Sequence, residues 1–222
     1  MNHKPFRGNP KEFPTIARIV AELCRRPAAL LAVTGASNLL GTMPPVARIA
    51  ARAHAVGALV HVDGVHLTAH SHIDVTALGA DFFVCSPYKF FGPHCAALAA
   101  DPALLETLHP DKLLPSTDAV PERFELGTLP YELLAGVETA VDVLASLAPG
   151  EGTRRERLAI AHSLVHEHEM ALRTRIEGGL ADLGDRLTVH SRAEQRTPTL
   201  FFTLRDADAR DVAASLAARD VL

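Results

Sequence analysis

Residues 58–92 read ALVHVDGVHLTAHSHIDVTALGADFFVCSPYKFFG, and this stretch holds two short apolar runs that are each followed by polar residues. The runs, within residues 58–62 and 81–85, are continuous rather than alternating. Continuous apolar runs of this length are typical of parallel β-strands that are covered on both faces. Between the two runs, residues 74–78 predict a helical turn.

The same pattern continues toward the N-terminus. Residues 30–34 form a third apolar run, and Pro44 and Pro45 can begin a helix that ends at Gly57. An alternation of strands and helices predicts an α/β fold, and right-handed crossovers make its three strands parallel. Residues 15–25 predict a further short helix before the first strand.

The pattern changes after residue 150, where a long charged helix is followed by two alternating runs and another helix. Alternation is typical of antiparallel strands with one wet face. We therefore predict two domains: residues 1–149 as part of a large α/β domain with a parallel-type sheet, and residues 150–222 as part of a small α+β domain. The elements predicted in the second part are a helix at 153–183, strands at 186–190 and 199–204, and a helix at 206–219.

The composition limits the classes of partner and the cell compartment. Hydrophobic residues make up 48% of the 222 residues and charged residues 22%, which is typical of a soluble globular protein. The net charge of -4 argues against a nucleic-acid partner, and no apolar run is long enough to span a membrane or to form a signal peptide. Three widely spaced cysteines without a CxxC motif indicate reduced thiols in a cytoplasmic protein.

Polar residues follow each of the three predicted parallel strands. The carboxyl ends of parallel strands meet at one edge of a sheet, and open α/β sheets bind their ligands outside that edge. We therefore expect these side chains to lie around one ligand site. They are Ser37 and Asn38 after the first strand, Asp63 and His66 after the second, and Ser86 and Lys89 after the third.

Lys89 and Asp63 together predict pyridoxal phosphate chemistry. A lysine amine forms a Schiff base with an aldehyde, and a carboxylate keeps the proton on a pyridine nitrogen, so that the ring can withdraw electrons. Two simpler interpretations stay open. Asp63 could cap the turn that it forms with Gly64, and Lys89 could be a surface lysine in a loop.

Four more side chains are candidate cofactor contacts. Ser86 and Thr128 could donate to the cofactor phosphate, whereas His66 and Asn38 could lie near the phenolic oxygen of the ring, and His66 also near the reacting Schiff base. Each has a structural alternative. Ser86 could be a turn serine, Thr128 a cap of the helix that begins near Pro130, Asn38 part of an Asx turn, and His66 a buried histidine with satisfied hydrogen bonds.

Residues 30–145 resemble the central stretch of the class V aminotransferase family, and within it the cysteine desulfurase-like proteins. The order and spacing of four segments carry this resemblance. They are residues 33–42 (VTGASNLLGT), residues 62–66 (VDGVH), residues 81–89 (DFFVCSPYK) and residues 123–128 (RFELGT).

The resemblance implies a pyridoxal-phosphate-dependent transferase of fold type I that acts on a small-molecule amino acid. It makes Lys89 the Schiff-base lysine and a catalytic residue, Asp63 the partner of the ring nitrogen, and Asn38 and His66 cofactor contacts. It also implies a homodimer in which the turn at Gly127 and Thr128 reaches the phosphate bound by the partner subunit.

Three departures from the family pattern accompany the resemblance. Tyr88 precedes the lysine where desulfurases usually have histidine, and none of Cys24, Cys85 and Cys95 matches the persulfide-forming cysteine. The segments that would carry the phosphate loop and the substrate-carboxylate arginine have no counterpart between residue 1 and residue 222. We therefore expect a fragment, and an inactive truncated homologue with weak or no cofactor binding is one alternative.

A metal-dependent hydrolase is the other alternative, because imidazole and carboxylate groups are good zinc and iron ligands. Five such side chains lie within twelve residues, but no HExxH motif accompanies them. The five are His61, Asp63, His66, His70 and His72.

Overall fold

The structure is a computed structural model that describes residues 28–221. The helix that the sequence predicts at residues 15–25 lies outside the described residues. No helix among residues 28–221 is both long enough and apolar enough to cross a membrane.

A four-stranded sheet forms the centre of the first part of the chain. The three strands predicted from the sequence are present as β1 (Leu30–Thr34), β2 (Leu59–Asp63) and β3 (Phe82–Cys85). They lie side by side in this order and are parallel, as predicted. A fourth strand, β4 (Ala97–Ala100), was not predicted, and it pairs antiparallel with β3.

The helix α1 (Val46–His54) covers one face of this sheet. Its buried residues Val46, Ala50 and Ala53 pack in one apolar cluster with Val60 and Val62 of β2. The side chains of β2 on this face are fully buried. Asp63, the polar residue at the end of β2, is therefore carried by a well-packed strand.

Two short helices lie between β2 and β3: α2 (Leu67–His70) and α3 (Val75–Leu78). The Asp74 side chain caps α3 by accepting a hydrogen bond from the Ala77 amide at 2.9 Å. The remaining elements are α4 (Pro102–Glu106), α5 (Tyr131–Ser146), α6 (Arg154–Ala181), β5 (Leu187–Val189), β6 (Phe202–Leu204) and α7 (Ala209–Ala217), with single 3-10 turns at Pro87–Phe90, Glu122–Phe124 and Gly184–Arg186.

The predicted domain boundary falls in the connection between α5 and α6. The helix α6 begins with a capping box in which the side chains of Thr153 and Glu156 bond each other's backbone amides. Arg154 then reaches back to α5 and forms an ion pair with Asp142 at 2.8 Å. Since α6 packs against both α5 and α2, the division into two domains stays a prediction.

The antiparallel pair β5 and β6, which the sequence predicts, is connected by a segment that pairs with the loop after β1. Thr42 and Arg196 form an isolated antiparallel bridge. The Thr197 amide donates to the Gly41 carbonyl at 2.9 Å, and the Met43 amide donates to the Gln195 carbonyl at 3.1 Å. These backbone bonds hold the β5–β6 connection beside the carboxyl edge of the large sheet.

Candidate active site

The carboxyl ends of β1, β2 and β3 form one continuous edge, as the sequence predicts. Thr34 lies opposite Asp63, and Asp63 lies opposite Val84. Just beyond the strands, the Gly35 amide donates to the Asp63 carbonyl at 2.7 Å, and the Gly64 amide donates to the Val84 carbonyl at 2.8 Å. The loops that carry the candidate residues are therefore tied to the neighbouring strand.

Lys89 lies on the single 3-10 turn at Pro87–Phe90, directly after β3. Pro87 and Phe90 are buried and anchor the turn, whereas Lys89 is exposed. Its ammonium group lies 5.1 Å from the centroid of the Tyr88 ring, which in turn stacks on His94 at 4.9 Å. The backbone of Lys89 is thus held rigidly, while its amine stays accessible.

Asp63 has one engaged and one free carboxylate oxygen. Its Oδ1 accepts a hydrogen bond from the Val65 amide at 3.0 Å, so the turn-capping contact that the sequence left open is present. Its Oδ2 makes no hydrogen bond with any residue in the range 28–221. In the same part of the chain, Asp63 and Lys89 form no ion pair with each other, so neither charge neutralises the other.

Gly64 explains how the turn after Asp63 lies so close to the sheet. A Cβ atom at this position would lie 2.0 Å from Cζ of Phe83, which is far inside contact distance. Phe83 is 4% exposed and belongs to the apolar cluster under the turn. Glycine at position 64 therefore allows Phe83 to support the turn that carries Asp63.

His66 is half-buried and contacts the β5–β6 connection. Its Nε2 lies 3.1 Å from Oγ1 of Thr197 and 3.1 Å from Oγ1 of Thr199. Its ring packs edge-on against His70 at 4.8 Å. Burial lowers the pKa of His66, and the positive charges of His70 and Lys89 lower it further.

Thr197 and Thr199 are functional candidates that the sequence did not reveal. They lie 131 and 133 residues from His66 in the chain, and no motif connects the two segments. The only available signal was their position beside the strand predicted at residues 199–204, which Thr197 precedes and Thr199 begins. That position does not indicate where the strand packs.

Asn38 and Ser86 lie in the loops after β1 and β3, whereas Thr128 lies in the loop before α5, and two of their structural alternatives are wrong. The Ser37 hydroxyl, not the Asn38 amide, accepts the turn bonds from Leu39 and Leu40. Pro130, not Thr128, occupies the N-cap of α5, which has no side-chain cap. Across residues 28–221, the side chains of Asn38, Ser86 and Thr128 make no hydrogen bond. Ser86 accepts the Lys89 amide through its carbonyl at 3.0 Å.

The metal-site alternative finds no geometric support. Within residues 28–221, no three His, Cys, Asp or Glu side chains are grouped so that they could hold a metal ion. His66 bonds two threonines, and His70 Nδ1 lies 3.0 Å from a Glu169 oxygen. His72 packs against His162 of α6, with ring centroids 6.2 Å apart.

Comparison with known proteins extends the resemblance beyond residues 30–145. A family model described as aminotransferase class-V matches residues 6–222. The aminotransferase-like protein FGM3 of Gibberella zeae is 32% identical over 217 residues, which cover 95% of this chain and 50% of that protein. A cysteine desulfurase of Yersinia pestis is 35% identical over 149 residues, which cover 61% of this chain and 36% of that protein. The chain thus spans half or less of the length of these relatives.

Solved structures show the same fold. The apo cysteine desulfurase of Thermococcus onnurineus superposes with a TM-score of 0.80 at 22% identity, over 97% of this chain and 54% of that one. The cysteine desulfurase CsdA of Escherichia coli gives a TM-score of 0.71 at 24% identity, over 90% of this chain and 50% of that one. The predicted fold, part of a fold-type-I architecture, is confirmed. The chain belongs to the class V aminotransferase family, whose members depend on pyridoxal phosphate.

Proposed function

We propose that this chain is the cofactor-binding part of a pyridoxal-phosphate-dependent enzyme that acts on an amino acid and holds its cofactor covalently through Lys89. One observation carries the proposal. Lys89 follows β3 on an anchored turn, and Asp63 ends the neighbouring strand β2, so the amine and the carboxylate lie on the same edge of the sheet. Ligands of open α/β sheets bind at this edge.

The free groups at this edge fit the chemistry of the cofactor. The accessible amine of Lys89 suits an aldehyde, and Oδ2 of Asp63 suits a protonated ring nitrogen. His66 and Asn38 offer donors for the phenolic oxygen, and the hydroxyls of Ser86 and Thr128 suit the phosphate. Polar groups that find no protein partner at a ligand-binding edge support a ligand with several polar atoms. On this basis we assign Lys89, Asp63, His66, Asn38 and Ser86 to the cofactor site of this chain, and Thr128 to the site of a partner subunit.

When bound, pyridoxal phosphate supplies an aldehyde and an electron-withdrawing ring for chemistry at the substrate Cα. Lys89 would hold the cofactor through its amine, and the same amine, when free, would take and return the Cα proton of the substrate. The Asp63 carboxylate would keep a proton on the ring nitrogen by charge. A lowered pKa keeps His66 neutral near pH 7, so it adds no positive charge beside Lys89.

We also propose that the functional protein is a homodimer. Leu126 and Tyr131, on either side of the Gly127–Thr128 turn, are 75% and 67% exposed. Large apolar side chains that are this exposed favour a partner surface. A second subunit at this position would bring Thr128 to the partner's phosphate. The substrate amino acid and the class of group transferred stay open, and the cytoplasmic location stays a prediction from the cysteine pattern.

Borohydride trapping tests the role of Lys89. We expect the chain to develop absorbance with pyridoxal phosphate, and reduction followed by peptide mass spectrometry to place the pyridoxyl group on Lys89. Lys89→Ala should abolish the signal and leave the far-UV circular dichroism unchanged, because an exposed side chain contributes little to stability.

Lys112→Ala is the matched control. Lys112 lies far in sequence from the ends of the parallel strands, and its ammonium group forms an ion pair with Asp118. This variant should keep the full signal. Borohydride-sensitive absorbance in Lys89→Ala would refute the role of the lysine. No absorbance in the unmodified chain would favour the alternative of an inactive homologue.

A further inference from the structure

His66 and two threonines form a closed triangle of polar atoms. The distances from His66 Nε2 to the two hydroxyl oxygens are both 3.1 Å, and Oγ1 of Thr197 lies 2.9 Å from Oγ1 of Thr199. Neither hydroxyl bonds any other residue in the described part of the chain. Thr197 is 2% exposed, so its hydroxyl proton has no route to bulk water.

Counting protons in this triangle assigns the tautomer of His66. A hydroxyl brings one proton, and a neutral imidazole has one N–H and one acceptor nitrogen. If Nε2 is the acceptor, the two hydroxyl protons both find an acceptor inside the triangle. If Nε2 carries the proton, the single contact between the two hydroxyl oxygens can hold only one hydroxyl proton, and the other hydroxyl must donate outside the triangle. Thr197 is buried and Thr199 is half-buried, so the arrangement that satisfies both hydroxyls inside the triangle is favoured, with Nε2 as the acceptor and the proton on Nδ1.

The backbone holds the triangle in place. Thr197 is fixed by the hydrogen bond from its amide to the Gly41 carbonyl, next to the bridge between Thr42 and Arg196. Gly41 has φ +74°, and a Cβ atom there would lie 2.9 Å from Oγ1 of Thr197. The loop after β1 therefore fits closely around the threonine and leaves it one position.

We propose that Thr197 and Thr199 are positioning residues that hold His66 as a neutral Nδ1–H donor for an acceptor oxygen of the bound cofactor. The donor role rests on the function proposed above, whereas the tautomer rests on the triangle alone. Nδ1 of His66 bonds no residue in the range 28–221, so it is the nitrogen left for a ligand. Through these two threonines, the β5–β6 connection sets the orientation and the tautomer of a side chain at the proposed cofactor edge of the large sheet.

The charges around His66 agree with a neutral ring. Its neighbours are His70, which packs on it edge-on, and Lys89, while Glu169 of α6 contacts His70 rather than His66. A protonated His66 would place a third donor in the triangle beside two potentially positive side chains. Geometry and electrostatics therefore favour the same neutral form.

Nuclear magnetic resonance of the cofactor-free chain tests the tautomer. Long-range ¹H–¹⁵N correlation distinguishes a protonated Nδ1 from a protonated Nε2, and His66→Gln assigns the signal. We expect the Nδ1–H form in the unmodified chain. The double variant Thr197→Val, Thr199→Val should shift His66 toward the Nε2–H form that predominates for free histidine, and Thr197→Ser, Thr199→Ser should keep Nδ1–H.

Two results would overturn the tautomer assignment: an Nε2–H ring in the unmodified chain, or no change in the valine variant. The signal of His54, which contacts Asp81 at 2.8 Å on another side of the sheet, reports whether each variant is folded. Thr199→Val alone, at the less buried position, is the milder variant if the double valine variant unfolds. The buried Thr197 hydroxyl can still donate to Nε2 in this variant, so we expect Nδ1–H to be kept, and an Nε2–H ring would overturn the assignment.

Titration with pyridoxal phosphate tests the donor role separately. Losing one oriented hydrogen bond should weaken binding about two- to tenfold in the valine variant, and the serine variant should match the unmodified chain. Equal affinity in all three proteins would refute the donor role. If the unmodified chain binds no cofactor, the proposed function and the donor role fail together, while the resonance experiment still decides the tautomer.

Discussion

At the scale of single residues, Asp63 combines an observed structural contact with the chemical role that we propose for it. Oδ1 accepts the Val65 amide, and Oδ2 is free of protein hydrogen bonds within residues 28–221. The substitution Asp63→Asn separates the two roles, because an amide oxygen can still accept the Val65 bond while the charge is lost. Charge-assisted hydrogen bonds contribute about 1.5–3 kcal/mol, so removing the charge is expected to matter most where the ring must withdraw electrons.

For Asp63→Asn we therefore expect cofactor binding to fall only a few-fold, and exchange of the substrate Cα proton to fall about ten- to hundredfold. The measurement is cofactor titration beside deuterium exchange at Cα for a panel of amino acids, in the longer protein if this chain alone is inactive. Asp63→Ala, which loses the turn bond as well, should weaken both. Equal losses in the asparagine variant would contradict the role assigned to the charge.

The candidate residues whose positions the sequence predicted are those that follow buried strands. The positions of Asp63 and Lys89 at the sheet edge could be predicted because one continuous apolar run ends just before Asp63 and another ends four residues before Lys89. Thr197 could not, because its contact with His66 spans 131 residues and depends on how the β5–β6 connection packs. The Asx turn that was left open as an alternative for Asn38 is not formed, because the neighbouring Ser37 offers the same type of acceptor one residue earlier.

At the scale of elements, the parallel strands were readable from the sequence and β4 was not. β4 has the sequence Ala97-Leu98-Ala99-Ala100, and alanine has a low strand propensity. β4 is a strand because its backbone pairs with β3, although its own residues do not favour a strand. The turn after β2 is the opposite case, because a single residue there, a glycine, decides whether two elements can pack against each other.

Gly64→Ala should therefore destabilise the protein by about 1–3 kcal/mol, since the new methyl group would overlap Phe83 in the apolar cluster. Chemical denaturation followed by circular dichroism measures the change. Gly178→Ala in α6 is the matched control, because nothing lies within 4 Å of a Cβ atom there. It should stabilise the helix by about 0.5–1 kcal/mol. Destabilisation of the same size at both positions would contradict the packing argument.

At the scale of the whole molecule, histidines join α6 to the segment between β2 and β3. His70 contacts Glu169, and His72 packs against His162. Burial lowers the pKa of His162, the positive charges of His72 and His70 lower it further, and Glu169 opposes the shift. The pKa of His66 is lowered as well, mainly by burial.

These two shifts make the stability of the protein depend on pH. In the unfolded chain the pKa of histidine is about 6.5. This is higher than the pKa of His66 and the pKa of His162 in the folded protein. Below that pH the unfolded state binds more protons than the folded state, so stability rises with pH. The contribution of both histidines is complete above about pH 6.5, and it is lost as the pH falls through their folded pKa values.

We expect the unfolding midpoint to decrease as the pH falls below about 6.5, because the shifted histidines take up protons on unfolding. His162→Gln should make the dependence shallower, because glutamine cannot be protonated. His168→Gln, at an exposed position of the same helix, is the control and should leave the slope as it is. The measurement is thermal or urea unfolding across this pH range. At lower pH the titration of carboxylates dominates the pH dependence of stability, so only the difference between the variants within this pH window tests the histidines. Identical slopes for all three proteins would show that a neutral His162 does not contribute to the packing of α6.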